Sequence, residues 1–274
     1  MASQAARVPA VAGRFYPADP AALIGAIRSL EDRDPPPQAI FQDAIACIAP
    51  HAGYMYSGGV AYSVYSRLPA CSSYLVLGPN HFGQGQQLAT LSSDWLTPLG
   101  TVPVDQTFTA KLLEEFEGLV DDRVAHASEH SLEVQLPFLQ YFAKDFTLVP
   151  IAIGAVRYDE LERLGQTVAR LIRCGPQRML MVASSDMNHY EPDTVTRIKD
   201  HKAIERILAL DPRGLAAVID REHISMCGYA PAIVVLTAAK ELGATHGELV
   251  KYATSADAGG DRAAVVGYAG IVIY

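Results

Sequence analysis

The chain has 274 residues, of which 50% are hydrophobic, so it is long and apolar enough to bury a large core. Its 22 lysines and arginines against 30 aspartates and glutamates give a formal net charge of −8, which argues against nucleic acid or an anionic membrane surface as a partner. The longest apolar run, near residues 230–239, is far below the roughly 20 residues of a membrane span, and the first seven residues lack the apolar stretch of a signal peptide.

Apolar runs of strand length alternate with amphipathic helical patterns along the chain. In chain order the pattern predicts a helix at 20–30, a strand at 45–49, a helix at 58–66, strands at 74–78 and 88–92, a helix at 106–116, a strand at 146–154, a helix at 159–173, a strand at 179–184, helices at 194–208, 212–221 and 232–242, and strands at 248–253 and 265–274. This alternation predicts an α/β fold: one domain over residues 1–274, with a central mixed β-sheet and helices on both faces.

Local signals support some helix boundaries. Asp159 with Glu162 three residues later predicts a capping box, and Asp211 before Pro212 predicts a helix start. Pro137 inside the amphipathic stretch 132–142 predicts a kink or a short first segment. The proline-rich segment 32–37 is expected to be a surface linker between the first helix and the first core strand.

Polar residues follow three of the predicted strands at the point where each strand ends. His51 follows the first strand, His81 follows the second, and the polar segment 184–189 follows the strand at 179–184. Ligands of open α/β sheets bind at the carboxyl ends of the strands, so joint placement favours a functional role for both histidines. Taken singly, histidines are more often structural, and surface context accounts for four others: His126, His201, His223 and His246.

Cys227 stands just before the predicted helix at 232–242, where the helix dipole favours a thiolate. Gly228 beside it permits close backbone approach. The thiolate can serve as a metal ligand or as a nucleophile, and a buried structural thiol is the alternative. With His51 and His81 it would form a three-ligand metal site that keeps open positions. The four cysteines form no CxxC pair, which indicates a reducing, cytoplasmic protein.

Asp186 and His189 are three residues apart on one segment. The carboxylate could orient the imidazole as a general base, and the alternative is a helix start capped by Asp186 or Asn188. Glu129 and His130 precede the stretch 132–142 and are either pocket residues or a solvated helix cap.

The aromatic residues Phe15, Tyr16 and Tyr54 flank predicted turns. They could line a ligand cleft, although aromatic residues more often fill the core.

Six short motifs in order along the chain together resemble the Memo family, whose prokaryotic members are often labelled AmmeMemoRadiSam system protein B. The motifs are Ala12-Gly13-Arg14-Phe15-Tyr16, Ala49-Pro50-His51-Ala52-Gly53-Tyr54, Leu77-Gly78-Pro79-Asn80-His81, Glu129-His130-Ser131-Leu132-Glu133, Ser184-Ser185-Asp186-Met187-Asn188-His189 and Met226-Cys227-Gly228. They run from near residue 7 to the C-terminus, so the resemblance covers almost the whole chain.

The resemblance implies a fold similar to class III extradiol dioxygenases, which hold non-haem Fe(II) with two histidines and a carboxylate. The pocket of Memo-like proteins carries two histidines and a cysteine, which match His51, His81 and Cys227, while Asp186 and His189 match further pocket residues. The family is associated with iron or copper and redox activity, and its animal members with phosphotyrosine peptides and cell motility. A cysteine in place of the carboxylate softens the site, so extradiol cleavage itself is not expected.

The sequence therefore predicts a metal-binding protein with a dioxygenase-like pocket and possible oxidoreductase activity. Fe(II) is the first expectation, followed by copper and then zinc. One alternative is a hydrolase or transferase with Cys227 as nucleophile. Another is a non-enzymatic module whose cleft binds a peptide or small molecule. The sequence indicates no oligomeric state.

Overall fold

The computed structural model describes residues 5–31 and 39–274, and the predicted linker at 32–37 lies outside the described residues. Its helices are α1 (Pro20–Glu31), α2 (Tyr54–Tyr65), α3 (Gln106–Glu115), α4 (Arg123–Ala127), α5 (Leu136–Phe142), α6 (Tyr158–Cys174), α7 (Asp193–Leu208), α8 (Pro212–Glu222) and α9 (Tyr229–Glu241). Its strands are β1 (Ala46–Ala49), β2 (Ser73–Pro79), β3 (Leu88–Thr90), β4 (Trp95–Thr97), β5 (Gly100–Val102), β6 (Val120–Asp121), β7 (Thr147–Ile153), β8 (Leu180–Ser184), β9 (His189–Glu191), β10 (Gly247–Thr254) and β11 (Val265–Ile273).

The central sheet has the strand order β10-β11-β1-β8-β2-β7-β3-β6, with β9 paired to β11. The strands β1, β8, β2 and β7 run parallel to one another, whereas β11 and β3 pair antiparallel at the two sides of this group. Buried parallel strands need apolar residues on both faces, and β1, β2 and β8 are buried along their whole length. The predicted α/β fold with a mixed sheet is confirmed.

Alternate residues of each central strand point to opposite faces of the sheet and enter two separate cores. Ile48 of β1 packs in the core under α3, α6, α7, α8 and α9, and its neighbour Cys47 packs in the core under α1, α2 and α5. Helices therefore cover both faces, as predicted, and the loops at the strand ends are left free to form a site.

One of the local predictions was wrong. Helix α6 begins one residue before Asp159, with Arg157 at its N-cap, so the predicted capping box does not form. Of the two outcomes predicted for Pro137, the short first segment is confirmed: a 3-10 helix at Glu133–Gln135 precedes α5, and Pro137 lies in the first turn of α5, where its missing N–H costs nothing. Asp211 does cap α8, since its carboxylate accepts a hydrogen bond from the backbone N–H of Gly214 at 2.8 Å.

Strands β1, β8 and β2 are neighbours in the sheet, so their carboxyl ends open onto one shared edge. This adjacency places the residues that follow the three strands side by side. Within residues 5–31 and 39–274, no helix combines the length and the hydropathy required to cross a bilayer.

Candidate metal centre

Three histidines converge at the carboxyl ends of β1 and β2. His51 follows β1, His81 follows β2, and His130 comes from the loop that precedes α5. One ring nitrogen from each lies within 4.8 Å of the other two, and the rings of His81 and His130 stack with centroids 4.8 Å apart. Such a cluster can hold a metal ion.

The imidazole of His51 is buried and held in one tautomer by Ser184. The Ser184 hydroxyl donates its proton to the carbonyl of Ser131 at 2.6 Å and accepts a hydrogen bond from the Gln135 amide at 2.7 Å. His51 Nδ1, 2.9 Å from the same oxygen, must therefore be the donor, which leaves the lone pair on Nε2. Burial, followed by the charges of His81 and His130, lowers the pKa of His51, so the ring is neutral.

Glu129 fixes the orientation of the His81 ring. Its carboxylate is buried and accepts hydrogen bonds from His81 Nδ1 at 2.9 Å and from the backbone N–H groups of His81, His130 and Ser131 at 2.6, 2.8 and 2.8 Å. Burial opposes its ionisation, but these donors outweigh burial and lower the pKa of Glu129 to about 2. A carboxylate behind a histidine, with Nε2 left free, is the usual support of a metal ligand. The alternative of a solvated helix cap is wrong for Glu129.

Cys227 lies beside His51 and outside the group of three mutually close histidines. Its Sγ is 3.3 Å from His51 Nε2 and accepts a hydrogen bond from the backbone N–H of Asp186 at 3.2 Å. Gly228 is required here, because a Cβ at that position would stand 2.4 Å from the carbonyl oxygen of Ser184. Burial and the Asp186 carboxylate raise the pKa of the thiol, so a positive charge is needed to favour the thiolate.

The predicted orientation of His189 by Asp186 is wrong. His189 Nδ1 donates instead to the carbonyl of Ser225 at 2.9 Å, which leaves His189 Nε2 as an acceptor. Asp186 is buried and accepts from the backbone N–H groups of His51 and Ala52 at 2.8 and 3.3 Å. Neither Asp186 nor Asn188 caps a helix, since β9 follows them. The Asp186 carboxylate ties the turn after β1 to the turn after β8.

A cavity of about 850 Å³ opens over these residues. Its walls include His51, His81, His130, Asp186, His189, Cys227, Phe15, Tyr56, Phe82, Tyr190, Asp261 and Tyr268. Three of the predicted pocket residues do not line it: Glu129 is buried behind His81, Tyr16 is buried with its hydroxyl on Glu133, and Tyr54 is buried with its hydroxyl on the Val134 carbonyl. Their polar groups were satisfied within the core, which the sequence does not reveal.

A buried ion pair supports the loop that carries Glu129 and His130. Arg7 pairs with Glu133, donates to the backbone carbonyl of Glu129 at 2.5 Å, and lies over the Trp95 ring at 4.4 Å. Both charged side chains are almost fully buried. Sequence reasoning missed this pair, because nothing in the order of the residues shows that Arg7 returns to contact a segment more than 120 positions away.

The remaining histidines fall in two groups. His126 is fully buried and its Nε2 donates to the Ala89 carbonyl at 3.1 Å, so its predicted surface position is wrong. Burial lowers the pKa of His126 to about 4. His201, His223 and His246 are exposed, as predicted.

Comparison with known proteins identifies the family. A family model described as Memo-like protein matches residues 7–272 of the chain. This chain belongs to the Memo-like family. MEMO1 family proteins of Methanosarcina barkeri and Methanopyrus kandleri are each 41% identical to it, covering 97% of this chain and 99% and 98% of those proteins. A MEMO1 family protein of Archaeoglobus fulgidus is 42% identical, covering 97% and 98%.

A solved structure supports the fold of this Memo-like chain. The crystal structure of an uncharacterised protein from Escherichia coli K12 matches with a TM-score of 0.56 and 14% sequence identity, covering 83% of this chain and 98% of that chain. At that identity the likeness concerns the fold alone. The family membership predicted from the six motifs is confirmed.

Proposed function

We propose that this Memo-like protein binds iron or copper at the carboxyl ends of β1 and β2 and acts as an oxidoreductase on a small molecule. The observation that carries the proposal is the cluster of His51, His81 and His130, whose ring nitrogens lie within 4.8 Å of one another. In His51 and His81, Nδ1 is hydrogen-bonded to Ser184 and to Glu129, respectively. Each ring is therefore held in place with Nε2 available to a metal ion.

The contact between Cys227 and His51 supports a thiolate as a further ligand of the same ion. Ligands of one tetrahedral ion at about 2.1 Å for nitrogen and 2.3 Å for sulfur lie about 3.6 Å apart. The distance from Cys227 Sγ to His51 Nε2 is 3.3 Å, close to that value. A cation there would also offset the burial that disfavours the thiolate. A site with imidazole and thiolate donors suits copper and iron better than a site rich in oxygen donors does.

Each residue around the ion has a separate task in the proposal. A bound iron or copper ion supplies one-electron exchange. The carboxylate of Glu129 and the hydroxyl of Ser184 hold His81 and His51 in place. His189 lines the cavity and accepts a proton on Nε2 from the bound small molecule. Nε2 is free to do so because the hydrogen bond to the Ser225 carbonyl holds the proton of His189 on Nδ1.

Metal content of protein purified without oxygen tests the proposal. Wild type is expected to hold near-stoichiometric iron or copper, and His51→Ala and His130→Ala are expected to lose most of it. His201→Ala, which removes an exposed histidine of α7, is the matched control and should retain the metal. Wild type that neither holds nor takes up Fe(II) or Cu(I) would contradict the proposal.

A second candidate is a cysteine-nucleophile enzyme. The contact of 3.3 Å between Cys227 Sγ and His51 Nε2 favours it, because a neighbouring imidazole can accept the thiol proton. The raised pKa of the buried thiol acts against it. Stoichiometric alkylation of Cys227 by iodoacetamide in metal-free protein at neutral pH would favour this candidate, whereas resistance to alkylation would argue for the metal ligand.

A further inference from the structure

The exposed aromatic side chains of the described residues are gathered at one place. Tyr56, Phe82 and Tyr190 are 41%, 54% and 77% exposed, and all three line the cavity beside the histidine cluster. They come from three separate elements: α2, the turn after β2, and β9. Exposed aromatic surface that converges on a single cavity is typical of a ligand site. We call these three residues the aromatic rim.

The backbone at Tyr190 is strained, which supports the interpretation of the aromatic rim as a ligand site. Its φ is +61°, a left-handed conformation that a bulky aromatic residue rarely adopts. Strain of this kind concentrates at functional sites, where the surrounding structure maintains it. The neighbouring His189 has its backbone N–H and its Nδ1 tied to Ser225, so the strained residue is anchored at one side.

The cavity is poor in positive charge. No lysine or arginine within residues 5–31 and 39–274 lines it. The backbone N–H groups of His51 and Ala52, which could otherwise bind an anion at the start of α2, are taken by the carboxylate of Asp186. A phosphate or carboxylate group would find no cationic side chain there.

One carboxylate of the cavity is unneutralised. Asp261 lines the wall, and its carboxylate accepts a hydrogen bond from the backbone N–H of Ala263 at 2.9 Å. The adjacent Arg262 is directed away from it and pairs with Asp193 at 2.9 Å. Asp261 has no ion pair with any described residue, so its charge is available to a ligand.

Asp261 and His81 line the same cavity but come from different parts of the sheet. Asp261 belongs to the connection between β10 and β11, and Tyr268 of β11 also lines the cavity. His81 and Phe82 follow β2. In the sheet, β11 is separated from β2 by β1 and β8. A ligand that fills the cavity would meet both the histidine cluster and the carboxylate of Asp261.

We propose that the cavity takes a flat aromatic molecule that carries an amine or another organic cation, with its ring against the aromatic rim and its cation toward Asp261. The proposal names the substrate class of the metal site and rests on the function proposed above. Aromatic faces attract organic cations as well as flat apolar bodies, so the rim and Asp261 favour the same ligand.

Binding of three matched probes to metal-free protein tests the proposal: benzylamine, benzyl alcohol and phenyl phosphate, followed by ligand-observed NMR titration. Benzylamine is expected to bind tightest and phenyl phosphate weakest. Asp261→Asn should weaken benzylamine about three-fold and leave benzyl alcohol unchanged, the size expected for an exposed charge pair. Tyr190→Ala should weaken both about five-fold. Ile198→Ala, which truncates an exposed side chain of α7 outside the cavity, should change neither.

Phenyl phosphate that binds as tightly as benzylamine, absence of binding by any probe, or equal effects of Asp261→Asn on amine and alcohol would overturn the substrate class. The assay needs no metal, so its outcome is independent of the metal analysis. An amine preference in a protein that cannot take up iron or copper would contradict the proposed function alone.

Discussion

Replacing Glu129 with glutamine is expected to make the protein lose less stability than wild type as pH falls from about 4.5 to 2, because the contribution of this carboxylate is removed. The ordinary pKa of a glutamate is 4.5, and that of Glu129 is about 2 in the folded chain. At 1.36 kcal/mol for each pH unit, the difference corresponds to about 3 kcal/mol. Since the folded pKa is the lower one, this stability is fully present above pH 4.5 and is lost as pH falls through 2.

Urea denaturation of metal-free protein at several pH values measures this contribution. Glu129→Gln is expected to be about 3 kcal/mol less stable than wild type at pH 7, because its amide is uncharged and accepts through one oxygen only, which leaves an N–H donor facing its NH2 group. The difference should shrink as pH falls below 4.5. Glu114→Gln, on the exposed face of α3, is the control and should follow wild type. A constant difference between wild type and Glu129→Gln from pH 7 to pH 3 would refute the reasoning.

Two further substitutions test the packing around the candidate site. Gly228→Ala is expected to cost about 3 kcal/mol in urea denaturation, because its Cβ would meet backbone and side-chain atoms at 2.4 Å. Gly25→Ala in α1 meets nothing within 4 Å and should be neutral or stabilising; equal effects of the two would contradict the account. Ser184→Ala should lower metal affinity at least ten-fold in a competition titration, because His51 Nδ1 loses its hydrogen-bond acceptor. Ser29→Ala, at an exposed position of α1, is the control and should leave the affinity unchanged. An unchanged affinity of Ser184→Ala would contradict the role of Ser184 in orienting His51.

Much of the fold could be predicted from periodicity, because the central strands are buried on both faces and read as continuous apolar runs. The short elements β4, β5, β6, β9 and α4 were missed, since two to five residues carry too little periodicity to detect. The strand ends that carry His51 and His81 were also predictable, because the carboxyl ends of parallel strands converge. His130 was placed in the pocket but not among the metal ligands, since its loop is brought in by tertiary packing.

The hydrogen-bond partners within the site were beyond prediction from the sequence. Spacing suggested Asp186 as the partner of His189, yet Ser225 lies 36 positions away and supplies the acceptor. The aromatic residues showed the same limit: Tyr54 turned into the core, while Tyr56, two positions on, lines the cavity. On a helix two positions differ by more than half a turn, so one residue of the pair faces the core and the other the cavity.

X-ray absorption spectroscopy of the iron- or copper-loaded protein tests the central claim most directly, because it counts the ligands and identifies their atoms. The account predicts imidazole nitrogens at about 2.0–2.1 Å and a sulfur at about 2.3 Å, with the sulfur lost in Cys227→Ser and the nitrogen count lowered in His130→Ala. A metal environment of oxygen atoms alone, unchanged in both variants, would contradict it.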